Sequence, residues 1–305
     1  MKIAFFTEMN FQGKVLRTYD NMRTEFAWMC ALNADHYYIK DMPVEKYDLG
    51  IVIVPKNNPN FNLEDLRLSC KKVAIMQEGP NWYWQDYDLP KQIWYFNTLT
   101  SSDIIFVHNT SDKIYYEGLT NHKDVRVLQS LMIEDVIDTT SLGVYDNREN
   151  VIIGGNFVSW YGGFDSYVIA NEISNTVFAP SMGRKQAGEE HLLTHLPYCT
   201  WKEWIQQLSK FKYGVHLMRT HAAGTFALNC AYLGIPCIGY SGLDTQEICH
   251  PELTVKIGDL VEAKKLAQKL VRDESFYLEQ NQIARSNYRK FYTEQSFLKH
   301  FNKTL

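Results

Sequence analysis

The stretch from Tyr213 to Tyr240, YGVHLMRTHAAGTFALNCAYLGIPCIGY, restricts the fold more than any other. It reads strand, polar loop, helix, strand. Val215, His216 and Leu217 lead into Arg219-Thr220-His221, and Ala222-Ala223-Gly224 is a small-residue turn. Thr225 to Leu233 is apolar and helix-compatible, with Gly234 as its stop. Pro236 to Gly239 is a second short strand. Such a unit sets the free backbone N–H groups of Gly224, Thr225 and Phe226 beside the ends of parallel strands, where an anion such as a diphosphate can bind. The pattern alone equally describes a βαβ unit with no ligand.

The rest of the chain repeats the alternation. Lys2 to Thr7 is a strand, Glu8 to Lys14 a polar loop containing Gly13, and about Thr18 to Leu32 a helix with Met22, Phe26, Met29 and Cys30 at helical spacing. Leu49 to Val54, Lys72 to Met76, Asp103 to Val107 and Val125 to Leu128 read as buried strands, with helices over Asn62 to Cys70 and Ser111 to Gly118. Residues 132–149 lack periodicity and read as a connection. A second series follows: strands at Val151 to Gly154, Thr176 to Ala179 and Thr194 to Tyr198, and helices at Phe164 to Ser174 and Thr200 to Leu208, with Thr200 as N-cap. Leu260 to Arg272 is an amphipathic helix, and Glu274 to about Asn302 is largely helical. The expectation is an α/β chain of two Rossmann-like, doubly wound parallel-sheet domains facing a cleft: 1–131, a connection at 132–149, 150–272, and a helical tail at 273–305 packing back on the first domain. Ligands belong in that cleft, at the strand C-termini.

The run GTFALNCAYLGIPCI resembles the nucleotide-sugar segment of GT-B glycosyltransferases. In many of those families two glutamates hold the donor sugar and the ribose; the corresponding places here are His221 and Asn229. The stretch CKKVAIMQEGPNWYWQDYDLP is similar to the segment of phage DNA β-glucosyltransferases in which a strand ends in the catalytic aspartate, and Glu78 takes that place. VIIGGNFVSWYGG resembles the first strand and loop of the donor domain in the same enzymes. The resemblance implies a nucleotide-diphosphate sugar, most readily a UDP-sugar, as co-substrate. It implies a hydroxyl acceptor, foremost a 5-hydroxymethylpyrimidine in double-stranded phage DNA, and no obligatory metal or other cofactor.

Each segment has its own chemistry. A carboxylate after a buried parallel strand points into the cleft, where it can take a proton from an acceptor hydroxyl; Glu78 is that base, with Asp86 and Asp88 as fallbacks. The aromatics that follow can stack on a sugar or an extruded base, Trp82 and Trp84 nearer the cleft and Trp94 and Phe96 in the core. Gly155, Asn156 and Ser159 lie in a loop whose backbone can approach a phosphate. The related phage enzymes place arginines in this loop; here Arg184, Lys185 and Arg219 are the substitutes. Gly13, Lys14 and Arg17 lie in the loop after the first strand, Gly13 toward the donor and Lys14 and Arg17 toward the acceptor. Each of these also reads as an ordinary loop residue or surface charge.

Composition excludes other classes. The chain has 305 residues, 45% hydrophobic and 22% charged, with net charge −4 and pI about 6.1. A general basic footprint is absent, so DNA binding requires a local patch, from Lys71, Lys72 and Lys91 or from Arg285, Arg289 and Lys290. The six cysteines are scattered and read as buried thiols. Met1-Lys2 leads directly into a strand, and no apolar run is long enough to span a membrane, so a cytoplasmic protein is expected. Two other readings stay open: a GT-B enzyme acting on a surface glycan, lipid-linked sugar or small molecule, and a non-catalytic nucleotide-sugar-binding module.

Overall fold

The computed structural model describes residues 1–55, 61–121, 124–143 and 149–305. The first sheet is built from β1 (Ile3–Thr7), β2 (Gly13–Lys14), β3 (Asp35–Tyr38), β4 (Tyr47–Val52), β5 (Cys70–Gln77), β6 (Ile104–Val107) and β7 (Val125–Val127), with α1 (Thr24–Ala31), α2 (Leu63–Arg67), α3 (Leu89–Ser101) and α4 (Thr110–Thr120) between them. Its strand order is β2-β3-β1-β4-β5-β6-β7. All neighbours are parallel except β2, which turns back against β3. Strands such as β5 and β6 are buried on both faces, which is why they read as continuous apolar runs.

The second sheet is built from β8 (Glu149–Ile153), β9 (Val177–Ala179), β10 (Leu193–His195), β11 (Phe211–His216), β12 (Cys237–Tyr240) and β13 (Thr254–Val255). Between and after them lie α5 (Gly163–Ala170), α6 (Trp201–Leu208), α7 (Thr225–Leu233), α8 (Asp244–Cys249), α9 (Leu260–Arg272), α10 (Glu274–Phe291) and α11 (Glu294–Thr304). The order β10-β9-β8-β11-β12-β13 is all parallel. The direction of winding reverses between β1 and β4 in one sheet and between β8 and β11 in the other. At such reversals neighbouring loops diverge and leave a crevice at the strand C-termini.

Local signals set several boundaries. Thr200 and Glu203 form a capping box at α6. Gly234 ends α7 in the left-handed conformation, φ +68°. The helical tail breaks at Tyr292-Thr293, where the Thr293 hydroxyl caps α11. From there α11 packs on the first domain, Phe297 lying 5.7 Å from Trp28 and Phe301 6.3 Å from Phe106, ring centre to ring centre. One apolar cluster joins these residues to Ile152 and Phe226 of the second domain.

Several expectations need correction. The helix expected from about Thr18 starts at Thr24. The segment 89–101, to which the sequence reading assigned no element, is α3; Asp88 caps it and Pro90 sits in its first turn. Within it Tyr95 is buried, whereas Phe96, expected in the core, is 36% exposed. Strands β2, β3 and β13 and helix α8 were not anticipated. Of the expected connection, residues 144–148 lie outside the described residues. Among the described residues no helix is long and apolar enough to cross a membrane.

Candidate active site at the interdomain cleft

Glu78 directly follows β5. Beside it stands a residue the sequence did not single out, Glu25, in the first turn of α1. The two carboxyls share a hydrogen bond. Burial, then the charge of Glu78, raise the Glu25 pKa well above the usual carboxylate range, so Glu25 holds the proton. Thr24, just before it, has φ +36°, an unfavourable backbone for a β-branched residue. A small cavity beside Glu78 is walled by Tyr83, Trp84, Tyr87 and Tyr95.

The second domain supplies an opposing cavity of about 130 Å³, lined by Gly154 after β8, Ser181 and Met182 after β9, Trp201 and Trp204 of α6, and Thr225, Phe226 and Asn229 of α7. Helix α7 begins at Gly224 (φ +64°) with no side-chain cap on its first N–H groups. A Cβ on Gly224 would sit 2.0 Å from the Thr245 hydroxyl, so the turn requires glycine. Asn229 is 4% exposed, and its side chain forms no hydrogen bond with another described residue. Arg23 of the first domain closes the cavity, donating to the Cys199 carbonyl across the cleft at 3.3 Å.

Segment 23–25 therefore joins the two halves of the site. Arg23 lines the donor-domain cavity and Glu25 touches Glu78. Two residues of chain span at most about 7 Å, so the backbone positions that carry the guanidinium and the acid lie within that distance of each other.

The other candidate residues divide clearly. Trp82 meets Trp160 of the second domain edge-on at 6.2 Å, and Tyr83 meets the same ring at 5.8 Å. The Arg184 guanidinium stacks on Trp160 at 4.7 Å. Trp84 stacks on Tyr95, against the first-domain core. Asn156 is fully buried and holds its own loop, donating to the Arg184 carbonyl and accepting from the Val158 N–H, so its amide does not face a phosphate. Gly155 packs against Tyr161, and Ser159 is exposed at the start of a short 3-10 turn. Arg219 pairs with Asp165 at 3.0 Å and Lys185 with Glu190 at 3.7 Å.

Four residues serve elsewhere than the sequence suggested. His221 contacts the first domain: its Nδ1 lies 2.9 Å from the Ser111 hydroxyl, which itself donates to the Gly242 carbonyl. Around it Asn109 donates to the Ala222 carbonyl (2.8 Å) and Ser130 to the Ala223 carbonyl (2.6 Å). The Thr110 N–H and hydroxyl both donate to Asp244. Gly13 and Lys14 form the short edge strand β2, antiparallel to β3 at His36 and Asp35, and Lys14 bonds Asn33, away from the strand C-termini. Arg17 is held between Asp135 and Glu294, both at 2.6 Å, tying the first loop to α11. Of the fallback bases, Asp88 caps α3 and Asp86 is exposed.

No protein-family profile matches the chain, and no curated protein matches it in sequence. Solved structures match its fold. Sucrose-phosphate synthase from Thermosynechococcus elongatus superposes with TM-score 0.71 at 10% identity, over 99% of this chain and 98% of that one. Anabaena Alr3699/HepE in complex with UDP and glucose gives TM-score 0.71 at 9% identity, over 100% and 99%. An α-glucosyltransferase in complex with UDP and a 13-mer DNA gives 0.63 at 13%, again over 100% and 99%. Each match runs over nearly the whole of both chains, and the fold of this chain, two parallel-sheet domains, is that of the GT-B glycosyltransferases.

Proposed function

We propose that the chain is a glycosyltransferase that moves a sugar from a nucleotide-diphosphate sugar, in the first place a UDP-sugar, to an acceptor hydroxyl. The observation that carries this reading is an uncapped α7 N-terminus with its cavity in one domain and a carboxyl pair at the end of β5 in the other, linked by segment 23–25, whose Arg23 lines the cavity and whose Glu25 meets Glu78. The nucleoside occupies the 130 Å³ cavity between Trp201, Trp204 and Asn229, and the diphosphate lies at the first turn of α7. The acceptor enters beside Glu78, between Trp82 and Trp160. Glu78 takes the hydroxyl proton, the freed oxygen attacks the anomeric carbon, and the bond to the diphosphate breaks with its electrons on the departing phosphate oxygen. Glu25, already protonated, donates to Glu78 and orients it. UDP and UDP-glucose in the matched HepE structures support the choice of donor.

For the acceptor we infer a 5-hydroxymethylpyrimidine in DNA. Support comes from the end-to-end fold match to an enzyme bound to UDP and DNA, and from paired tryptophans able to hold an extruded base. The phosphate-binding surface is then the groove of Lys290, Lys299, His300 and Lys303. Of the other patch residues, Lys71 is paired with Asp48 and Arg285 is bonded to the Leu233 carbonyl. The same tryptophans also suit a saccharide, so the alternative acceptor is a glycan.

Thermal denaturation with UDP, ADP and GDP and their sugars tests the donor. A ligand at one hundred times its dissociation constant adds about 2.7 kcal/mol of stability. Glu78→Gln is expected to lower turnover about 10²- to 10⁴-fold and leave nucleotide affinity unchanged. Unaltered turnover removes Glu78 from the mechanism, and no nucleotide binding in the unmodified protein removes the function. Failure to bind hydroxymethylated duplex DNA at low salt shifts the acceptor to the glycan.

A further inference from the structure

We propose that Arg23, carried by the acceptor domain, is the cation that meets the donor's diphosphate, so that donor binding draws the two domains together. The inference rests on the donor-site reading above and deepens it.

The cations of the donor domain nearest in sequence to its ligand loops are engaged elsewhere. Arg219 lies against Asp165, and Lys185 against Glu190. The Arg184 guanidinium is stacked flat on Trp160. Arg23 differs from all three. It crosses from the other domain and lines the cavity beside Thr225 and Asn229. Among the described residues it has no ion-pair partner, and the contact recorded for its guanidinium is the 3.3 Å bond to the Cys199 carbonyl. A guanidinium has five N–H donors in a planar fork suited to two phosphate oxygens, and Arg23 is exposed at the cavity rim, so most of that capacity is free.

The opposite wall is complementary. The first turn of α7 presents N–H groups with no side-chain cap. One turn further, Asn229, 4% exposed, offers an amide with no hydrogen-bond partner among the described residues. A buried amide left unbonded is costly unless a ligand satisfies it. A diphosphate between these walls accepts from α7 on one side and from Arg23 on the other. Glu25 follows two residues after Arg23, so the same closure that brings the guanidinium to the phosphate holds the carboxyl pair beside the scissile bond. The cation thus lies outside the donor domain, the one place a sequence search confined to donor-domain loops would omit.

Calorimetric titration of the unmodified chain and of Arg23→Gln, Arg23→Lys and Arg184→Ala with UDP, UMP and uridine tests the proposal. Arg23→Gln removes the charge on an exposed side chain, and Arg23→Lys keeps the charge without the fork. The expected result is a loss of UDP affinity of about 10- to 100-fold in Arg23→Gln, the range for hydrogen bonds to charged groups, a smaller loss in Arg23→Lys, and unchanged uridine affinity in both. Unchanged UDP affinity in Arg23→Gln overturns the proposal, as does an equal loss for uridine, which would make Arg23 a structural or nucleoside contact. A loss in Arg184→Ala with none in Arg23→Gln transfers the role to Arg184. If the unmodified chain binds neither UDP, ADP nor GDP, the donor-site reading itself falls and this proposal with it.

Discussion

Replacing Gly224 by alanine tests the local architecture on which the donor site depends. Gly224 has φ +64°, and an L-residue held in the left-handed region loses about 1–2 kcal/mol. Alanine recovers part of that, about 0.4–1 kcal/mol, by restricting the unfolded chain. The larger effect is steric. The new Cβ would lie 2.0 Å from the Thr245 hydroxyl and 3.2 Å from its Cβ. That hydroxyl donates to the Gly224 carbonyl at 3.0 Å, and Thr245 is 3% exposed. Rotating Thr245 away leaves its buried hydroxyl unpaired, which costs about 1–3 kcal/mol, while the Gly224 carbonyl keeps the Leu228 N–H at 3.2 Å. The sum is about 1–5 kcal/mol of stability, seen as a fall of roughly 2–8 °C in Tm for a chain of 305 residues. Gly258→Ala is the control: its φ is +87° but nothing lies within 4 Å of the added Cβ, so it reports the backbone cost alone. Adding Thr245→Ala to Gly224→Ala relieves the clash, and the pair should be non-additive by about 1 kcal/mol or more. Urea unfolding followed by circular dichroism and by tryptophan fluorescence measures all four variants. A Gly224→Ala variant as stable as Gly258→Ala would refute the argument, because the turn would then not be packed on Thr245.

Two further outcomes are expected. Because the folded state raises the Glu25 pKa, native protein binds more protons than unfolded protein between the unfolded value and the raised one. Stability from this group is therefore lost as pH rises through that window, with a slope of at most about 1.4 kcal/mol per pH unit. Glu25→Gln should flatten this slope and be the more stable form at high pH, with the difference shrinking toward pH 5, as read by urea midpoints across a pH series. Asp244→Ala removes the acceptor of the Thr110 N–H and hydroxyl bonds between the domains; it should cost about 1–3 kcal/mol and widen the interdomain distance seen by solution scattering, whereas an unchanged scattering profile would show that these bonds do not hold the domains closed.

Much of the fold was legible because parallel strands buried on both faces leave plain apolar runs, as in VAIM of β5 and IIFV of β6. Strand β3 was not legible, since DHYY looks polar. His36 in it is fully buried only because Thr7 Oγ1 and the Phe11 carbonyl satisfy both ring nitrogens, at 2.8 and 2.9 Å. Helix α3 did carry its signal, Asp88 followed by Pro90, but the aromatics around it drew attention to stacking and the helix was not assigned. At the site, the place of Glu78 was legible from the apolar run that ends just before it. Glu25 and Arg23 could not be found that way. An acid in a helix's first turn and a cation just before it are ordinary features, and only the fold brings them to β5 and to the second domain's cavity. His221 shows the converse: its sequence position matched a ligand place, yet the packing of α4 against the 221–224 loop had already engaged it.

The crossing helix α11 also bears on how the protein is made. Trp28 and Phe106 are fully buried, and their cover includes Phe297 and Phe301. At usual rates of synthesis the first domain emerges on the order of ten seconds before α11. Through that interval its sheet can pair, but one face stays open and apolar, and the ion pairs of Arg17 with Glu294 and the bond of Arg126 to the Thr304 carbonyl are still unmade. The domain that folds first is thus the last to be completed, and its nascent form is the state in which a chaperone, or another nascent chain, would find a binding surface.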